Sequence, residues 1–297
     1  MGKTVGMRRV SGLTGEGKDI HKVRYFSSLI TICDGKVIKI TKPSISHCPL
    51  AGFLYKGLKK SDCLSVSRLK EEIRKVIEWK ITEFGFCSKD RVFWAEEASV
   101  PYGASEIMAH ALKIGVIDSA VMVCDGAGTV VVPFPQLAQG IGARMHSVIR
   151  TSAIPEVVEG LRRLGCRVIS DDGVIDQEKG VREAAKEGCK KIAVTVNAYR
   201  GESLKDIREL ERRLGVSVII LVVCATGIGS RRTDEIGRYA DMVWTCRSAE
   251  VRNRLFPKAL EVLSDAAPVY VLTEKGRKLV YRYLPAIFSM RKARSFS

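Results

Sequence analysis

Residues 29–33 (Leu-Ile-Thr-Ile-Cys) and 36–40 (Lys-Val-Ile-Lys-Ile) are two short runs rich in apolar, β-branched side chains, and Asp34-Gly35 separates them. Asp-Gly accepts the positive φ angles of a tight primed turn, so the pattern predicts a β-hairpin. Leu69, Ile73, Val76, Ile77 and Ile81 recur at the spacing of one helix face and predict an amphipathic helix over 65–81. Residues 1–20, rich in glycine and charge, and 42–63, which include Cys48-Pro49-Leu50, lack periodicity and read as irregular.

Beyond residue 100, short runs that are apolar throughout alternate with amphipathic stretches. Strands are predicted at 120–124, 167–169, 192–196, 218–224, 242–246 and 269–272, and 129–132 reads as extended. Helices are predicted at 105–113, 154–164, 177–187, 203–214, 231–239, 249–263 and 275–284. Ser105 can cap the first of these and Gly115 can end it. Pro155 falls in the first turn of the second, where its missing N–H does no harm. Strands without a polar face need cover on both sides. The expected architecture is therefore α/β: a mainly parallel sheet with helices on both faces in Rossmann-like layering, plus a small N-terminal β-hairpin and helix region. The expected division is 1–97 for the N-terminal region, 98–284 for the α/β core and 285–297 for a basic tail.

Composition changes this picture little. The 297 residues are 46% hydrophobic and 28% charged, ordinary values for a globular chain that can bury a sizeable core. Nine cysteines, an odd number with no CxxC pair, argue against a disulfide framework, a zinc finger or a thioredoxin motif. Free thiols in a reducing cytoplasm are expected. The longest apolar stretch, 216–225, has the length of a strand and falls short of the ~18 residues of a membrane span. The basic N-terminus lacks a hydrophobic signal segment, and Gly6 stands where a myristoylation start wants Ser or Thr, so neither export nor a lipid anchor is expected.

Charge matters more. The net charge is +16, but residues 1–50 hold 9 basic and 3 acidic groups and residues 251–297 hold 10 and 3, so +13 sits in the two ends. A nucleic-acid-binding domain more often carries a basic face on its body, and no stripe of aromatic residues interleaved with Lys or Arg is visible. Nucleic acid is not expected as the main partner. The basic ends suit either solvation or contact with an acidic surface.

In open parallel sheets, sites form beyond the carboxyl ends of the strands. Three predicted strands end on cysteine: Cys124, Cys224 and Cys246. Thiolates brought together can bind zinc, copper(I) or an iron–sulfur centre, with Cys48 as a further ligand. One thiol beside a cation can act as a nucleophile; Arg247 follows Cys246, and Arg231 and Arg232 come after Cys224. Cysteine also serves simply as small apolar filler at strand ends. Two glycine-rich turns follow strands, Gly126-Ala127-Gly128-Thr129 and Thr226-Gly227-Ile228-Gly229-Ser230. The second leads into a helix, whose first N–H groups together with Arg231 or Arg232 suit a phosphate- or sulfonate-bearing ligand. Glycine can equally be present only for the tight turn. Neither turn matches the dinucleotide or P-loop pattern, and no HExxH, GxSxG or Ser-His-Asp spacing occurs. His110 reads as a structural helix residue, Asp118 and Asp241 as turn residues, and Asp171, Asp172, Asp176 and Glu178 as a solvated loop. No catalytic residue is assigned.

Several segments carry a likeness to a known family. They are Tyr102-Gly-Ala-Ser-Glu-Ile-Met, Gly115-Val-Ile-Asp-Ser-Ala-Val-Met-Val-Cys-Asp-Gly-Ala-Gly-Thr-Val, Gln139-Gly-Ile-Gly-Ala-Arg-Met and Thr151-Ser-Ala-Ile-Pro-Glu-Val. Ile175-Asp-Gln, Lys190-Lys-Ile-Ala-Val-Thr-Val, Ala240-Asp-Met-Val with Cys246, and Val271-Leu-Thr-Glu-Lys-Gly continue it, and Asp34-Gly-Lys-Val and Cys48-Pro-Leu fit upstream. Together they resemble the archaeal methanogenesis marker protein 8 family over residues 30–280. The resemblance implies an archaeal cytoplasmic protein linked to methane or related alkane metabolism, and it implies no catalytic residue. The function expected first is an accessory factor in the maturation, modification or activation of methyl-coenzyme M reductase. That reductase, or its activation and maturation proteins, is then the expected partner. The alternative is an enzyme or redox protein with a metal, iron–sulfur centre or anionic cofactor at the strand ends.

Overall fold

The Asp34-Gly35 turn forms with φ angles of 47° and 69° and joins β2 (Ser28–Cys33) to β3 (Lys36–Ile40). A second left-handed turn, Phe26-Ser27, joins β2 to β1 (Ile20–Tyr25), a strand the periodicity does not predict. The computed structural model describes residues 19–45, 65–143, 147–264 and 267–283. Most of the two irregular stretches, Cys48 and the basic tail lie outside the described residues.

A fourth strand, β6 (Ser147–Arg150), comes from the middle of the chain and pairs with β1, giving an antiparallel sheet of order β3-β2-β1-β6. Val23, Tyr25, Ile30, Ile32 and Val37 bury one face of it against Leu69, Ile73, Val76 and Ile77 of α1 (Val66–Phe84). Ser65 caps α1 by accepting from the Arg68 N–H, and Gly85 ends it at φ 61°.

The larger sheet contains β4 (Ser119–Cys124), β5 (Gly128–Val132), β7 (Arg167–Val168), β8 (Lys191–Asn197), β9 (Ser217–Val223), β10 (Met242–Trp244), β11 (Glu261–Leu263) and β12 (Val269–Val271). Its order is β11-β12-β10-β9-β8-β4-β5-β7. The expectation of a mainly parallel sheet is corrected, because the sheet is mixed. β4, β8, β9 and β10 are parallel neighbours, while β5, β7, β11 and β12 join through antiparallel ladders. Connection length is the cause at one side. Only Asp125, Gly126 and Ala127 separate β4 from β5, which permits a hairpin and forbids a crossover. The strands expected at 167–169 and 269–272 exist, but they pair antiparallel with β5 and β10.

Helices cover both faces. One face holds α2 (Ala104–Lys113), α3 (Pro135–Gly142), α4 (Pro155–Arg163) and a helix over 274–283, with Met108, Leu137, Leu161 and Val280 packed on Met122, Ala193 and Leu221. The other holds α5 (Gln177–Lys186), α6 (Leu204–Leu214), α7 (Ser230–Tyr239) and α8 (Ala249–Leu255), with Val181, Ile207, Ile236 and Val251 on Val194 and Ile220. The helix expected over 249–263 is shorter than its pattern. Pro257 has no N–H to continue it, so a 3₁₀ turn (Phe256–Lys258) follows α8 and residues 261–263 become β11. Among the described residues no helix is long and apolar enough to cross a membrane.

The smaller sheet stands against the carboxyl ends of β8 and β9. The Asn197 side-chain amide at the end of β8 donates to the Ser147 hydroxyl at the start of β6. Arg200 donates to the carbonyls of Ile149 (3.1 Å) and Ile175 (2.7 Å).

Candidate functional site

β9 and β10 are parallel neighbours, and just past their ends Cys224 and Cys246 hold left-handed φ angles of 61° and 49°. Such a conformation costs a non-glycine residue about 1–3 kcal/mol, which glycine would escape. Two strained thiols therefore close two adjoining strands. The turns that carry them are tied together, since the Arg247 N–H donates to Thr226 Oγ1 at 3.2 Å.

Arg24 of β1 reaches this edge. Its guanidinium stacks over the Tyr199 ring, 4.1 Å from the centroid. It also abuts the glycine turn, because a Cβ added at Gly227 (φ 79°) would lie 3.0 Å from Arg24 Nη2. Burial draws its pKa down, opposed by the nearby Cys224 and Cys246 thiols and the Tyr199 phenol. Among the described residues no carboxylate pairs with Arg24, in contrast to Arg200, Arg208 and Arg232, each of which faces one. Burial raises the Cys224 thiol pKa, although the Ser147 hydroxyl and Arg24 pull it down, so Cys224 rests protonated.

The surrounding loop is braced from below. Asn197 Oδ1 accepts from the N–H groups of Tyr199 (3.0 Å) and Arg200 (3.3 Å), which fixes the ring under Arg24. Arg232 spans from the Ala198 carbonyl (3.2 Å) to Glu235 (2.6 Å) and so acts as a strut. Arg231 and Ser230 are exposed at the start of α7, and Gly229 precedes them as its cap. Glu202 lies between Arg200 and Arg232. Its Oε1 is 3.6 Å from Arg200 Nε, too long for a hydrogen bond, and that oxygen, that nitrogen and Arg232 Nη2 are all buried without a hydrogen-bond partner. Burial pushes the Glu202 carboxyl up to about 7.

The first glycine turn is built differently. Gly126 N–H donates to Thr151 Oγ1 (2.7 Å), and Thr129 Oγ1 donates to Gln177 (2.7 Å) while accepting from the Asp176 N–H (2.8 Å). Gly128 sits so close to the chain that a Cβ there would lie 2.2 Å from the Val174 carbonyl. The polar groups of Gly126 and Thr129 are thus committed within the fold. Cys124 is fully buried, its thiol pKa raised by burial and by Asp125. Asp125 accepts from Arg91 Nε (3.0 Å) and the Cys87 N–H (2.6 Å) in a buried ion pair. The structure therefore brings Cys224 and Cys246 to one arginine and leaves Cys124 beside another. Among the described residues no group of three His, Cys, Asp or Glu side chains could hold a metal, and Cys48 lies outside them.

Asp118 accepts from the N–H groups of Lys190 and Lys191, as a turn residue does. Asp241 is buried instead, bound by Arg208, the Ile220 N–H and Thr273. Asp171 pairs with Arg162, Asp172 caps its own loop, Asp176 caps α5 and Glu178 pairs with Arg182. His110 Nε2 contacts the Arg282 carbonyl at 3.0 Å.

Arg24, Tyr199 and Ser147 are the site residues that sequence reasoning does not reach. Arg24 and Ser147 lie on strands without a clear pattern. Tyr199, exposed just past β8, carries the one available signal, an aromatic residue at a strand end.

Fold and site together define a two-sheet α/β protein in which Arg24 of the smaller sheet, without a carboxylate partner among the described residues, meets the carboxyl edge of the larger sheet, where Cys224 and Cys246 hold left-handed backbones. The chain belongs to an archaeal family, described as an uncharacterized protein conserved in archaea (DUF2099), which matches residues 21–284. It is similar to the uncharacterized protein MJ0054 of Methanocaldococcus jannaschii, 34% identical over 252 residues that cover 84% of this chain and 85% of that one.

Proposed function

We propose that this protein binds a small ligand bearing a phosphate, sulfonate or carboxylate group at the carboxyl edge of the larger sheet. The observation that carries this reading is Arg24, stacked on Tyr199 and set against the Gly227 turn with no carboxylate partner among the described residues. A planar guanidinium held by an aromatic ring is preorganised for a bidentate anion contact. The N-terminus of α7 adds a favourable ~0.3–1 kcal/mol, too little to bind an anion alone. The test is the melting temperature under titration with sulfate, phosphate and ethanesulfonate. Stabilisation of the wild type that is lost in Arg24→Ala supports the site; equal stabilisation of both proteins, or none at millimolar ligand, refutes it.

We further propose that the ligand serves a cytoplasmic accessory role toward methyl-coenzyme M reductase, in its maturation, modification or activation. Support comes from the motif resemblance over 30–280 and from basic ends suited to an acidic partner surface. Deleting the gene in a tractable methanogen tests this role. An unchanged reductase, in activity, modification and complex composition, refutes it.

A further inference from the structure

We propose that the carboxyl edge takes up an anion together with a proton: a proton on Glu202 strengthens anion binding at Arg24, and ionisation of Glu202 weakens it. This names a regulation of the anion site and rests on that reading of Arg24. Among the described residues, Glu202 Oε1, Arg200 Nε and Arg232 Nη2 are buried without a hydrogen-bond partner. Oε1 and Nε stand 3.6 Å apart, short of a hydrogen bond. The other Arg200 donors are held by the Ile149 (3.1 Å) and Ile175 (2.7 Å) carbonyls, and those of Arg232 by the Ala198 carbonyl (3.2 Å) and Glu235 (2.6 Å). An ionised carboxylate in this position demands a guanidinium N–H at hydrogen-bonding distance, and the open gap therefore suits the neutral acid. The charged groups that face Glu202 are Arg200 on its own loop, Arg232 on α7 and Asp176 at the cap of α5. Burial outweighs both arginines and pushes the carboxyl up to about 7. Glu202 thus changes charge near neutral pH, where the arginines do not. Its side chain keeps 15% exposure, enough to exchange a proton with solvent while the fold stays closed.

Two routes carry the effect to Arg24, and they act in the same sense. The first is charge. Glu202 follows Tyr199 by three residues, and Arg24 stacks on the Tyr199 ring. Arg232 follows Gly229, the cap of α7, by three residues, in the first turn of the helix that leaves the glycine turn. A negative charge gained on Glu202 offsets this positive edge and opposes an incoming anion, and partly buried charges are only weakly screened by salt. The second is position. Asn197 Oδ1 holds the N–H groups of both Tyr199 and Arg200. Closing the gap between an ionised Glu202 and Arg200 Nε pulls on this turn, which sets the ring under Arg24. Coupling between two sites is reciprocal, so an anion at Arg24 raises the proton affinity of Glu202 by the factor that the proton raises anion affinity.

The test is calorimetric titration of the full-length protein with sulfate, which keeps its charge throughout, between about pH 5.5 and 8 at constant ionic strength. The wild type should lose about tenfold in affinity across this range, within the usual size of coupling between two sites. Glu202→Gln should keep the same affinity at every pH. His21→Gln, which removes the other buried group that titrates on the acid side, should keep the fall. Repeating the titration near pH 7 in two buffers of different ionisation enthalpy counts protons directly: the wild type takes up a fraction of a proton with each sulfate, and Glu202→Gln takes up none. Arg24-dependent binding with no fall, or with an equal fall in Glu202→Gln, would overturn the coupling and leave the anion site standing. Sulfate binding that is absent at every pH, or indifferent to Arg24→Ala, would overturn the anion site and the coupling with it.

Discussion

Replacing Glu202 with glutamine should make the protein more stable at pH 8 and leave it nearly unchanged at pH 5. Glu202 has a side-chain exposure of 15% and an Oε1 that lacks a hydrogen bond, 3.6 Å from Arg200 Nε. Burial outweighs the attraction of Arg200 and Arg232 and lifts the carboxyl from 4.5 to about 7. Because the folded-state value is raised, the folded protein binds the proton more tightly than the unfolded chain does. Its contribution to stability is complete below pH 4.5 and is lost as pH rises to about 7. At 1.36 kcal/mol per pH unit, that loss is about 3 kcal/mol for the wild type. Glutamine does not titrate, so E202Q escapes the loss. Urea unfolding of both proteins at pH 5, 6, 7 and 8 measures the difference directly. A variant destabilised more at pH 8 than at pH 5 would show that ion pairing with Arg200 and Arg232 dominates over burial, and the reasoning would be wrong.

Asp125→Ala leaves Arg91 buried without its partner and should lower stability by about 3–5 kcal/mol in urea unfolding; a loss under ~1 kcal/mol contradicts the buried pair. His21 is fully buried and burial depresses its pKa, so the stability it protects is present above its ordinary 6.5 and lost as pH falls below that. His21→Gln should accordingly flatten the fall in melting temperature between pH 7.5 and 5.5, and an unchanged slope counts against it. Gly128→Ala meets both a φ of 76° and the Val174 carbonyl, so it should lose at least ~2 kcal/mol by thermal melting, where a neutral result refutes the close approach. Cys246→Gly relieves a left-handed backbone and should hold or raise stability by up to ~1 kcal/mol; a loss larger than that shows the thiol is there for packing.

The elements with strong periodicity were legible. The hairpin around Asp34-Gly35, α1 and the helices α4 to α7 follow from spacing and capping alone. β1 was hidden because its inward positions include His21 and Tyr25, and its outward ones include Lys22 and Arg24, so no simple apolar alternation marks it. α3 carries Gly140 and Gly142, poor helix formers. Gly140 is needed because a Cβ there would lie 1.9 Å from the Phe93 carbonyl. An apolar run without a polar face signals burial on both sides rather than direction: β5 is buried at every position yet pairs antiparallel with β4 and β7, which is why a mixed sheet read as a parallel one. In the site, strand-end chemistry pointed to Cys224, Cys246 and the Thr226–Ser230 turn. Arg231 and Arg232 looked like the cations because they follow the turn in sequence, whereas the cation set against the turn is Arg24, delivered by the second sheet.

Anion recognition by Arg24 is the central claim, and locating a bound anion tests it most directly. Crystals of the wild-type protein soaked in selenate would give an anomalous selenium signal wherever the anion sits. The account predicts a peak within hydrogen-bonding distance of the Arg24 guanidinium and the Gly227 turn, absent from crystals of Arg24→Ala. Selenate bound elsewhere, with Arg24 left empty or turned away from the glycine turn, would contradict it.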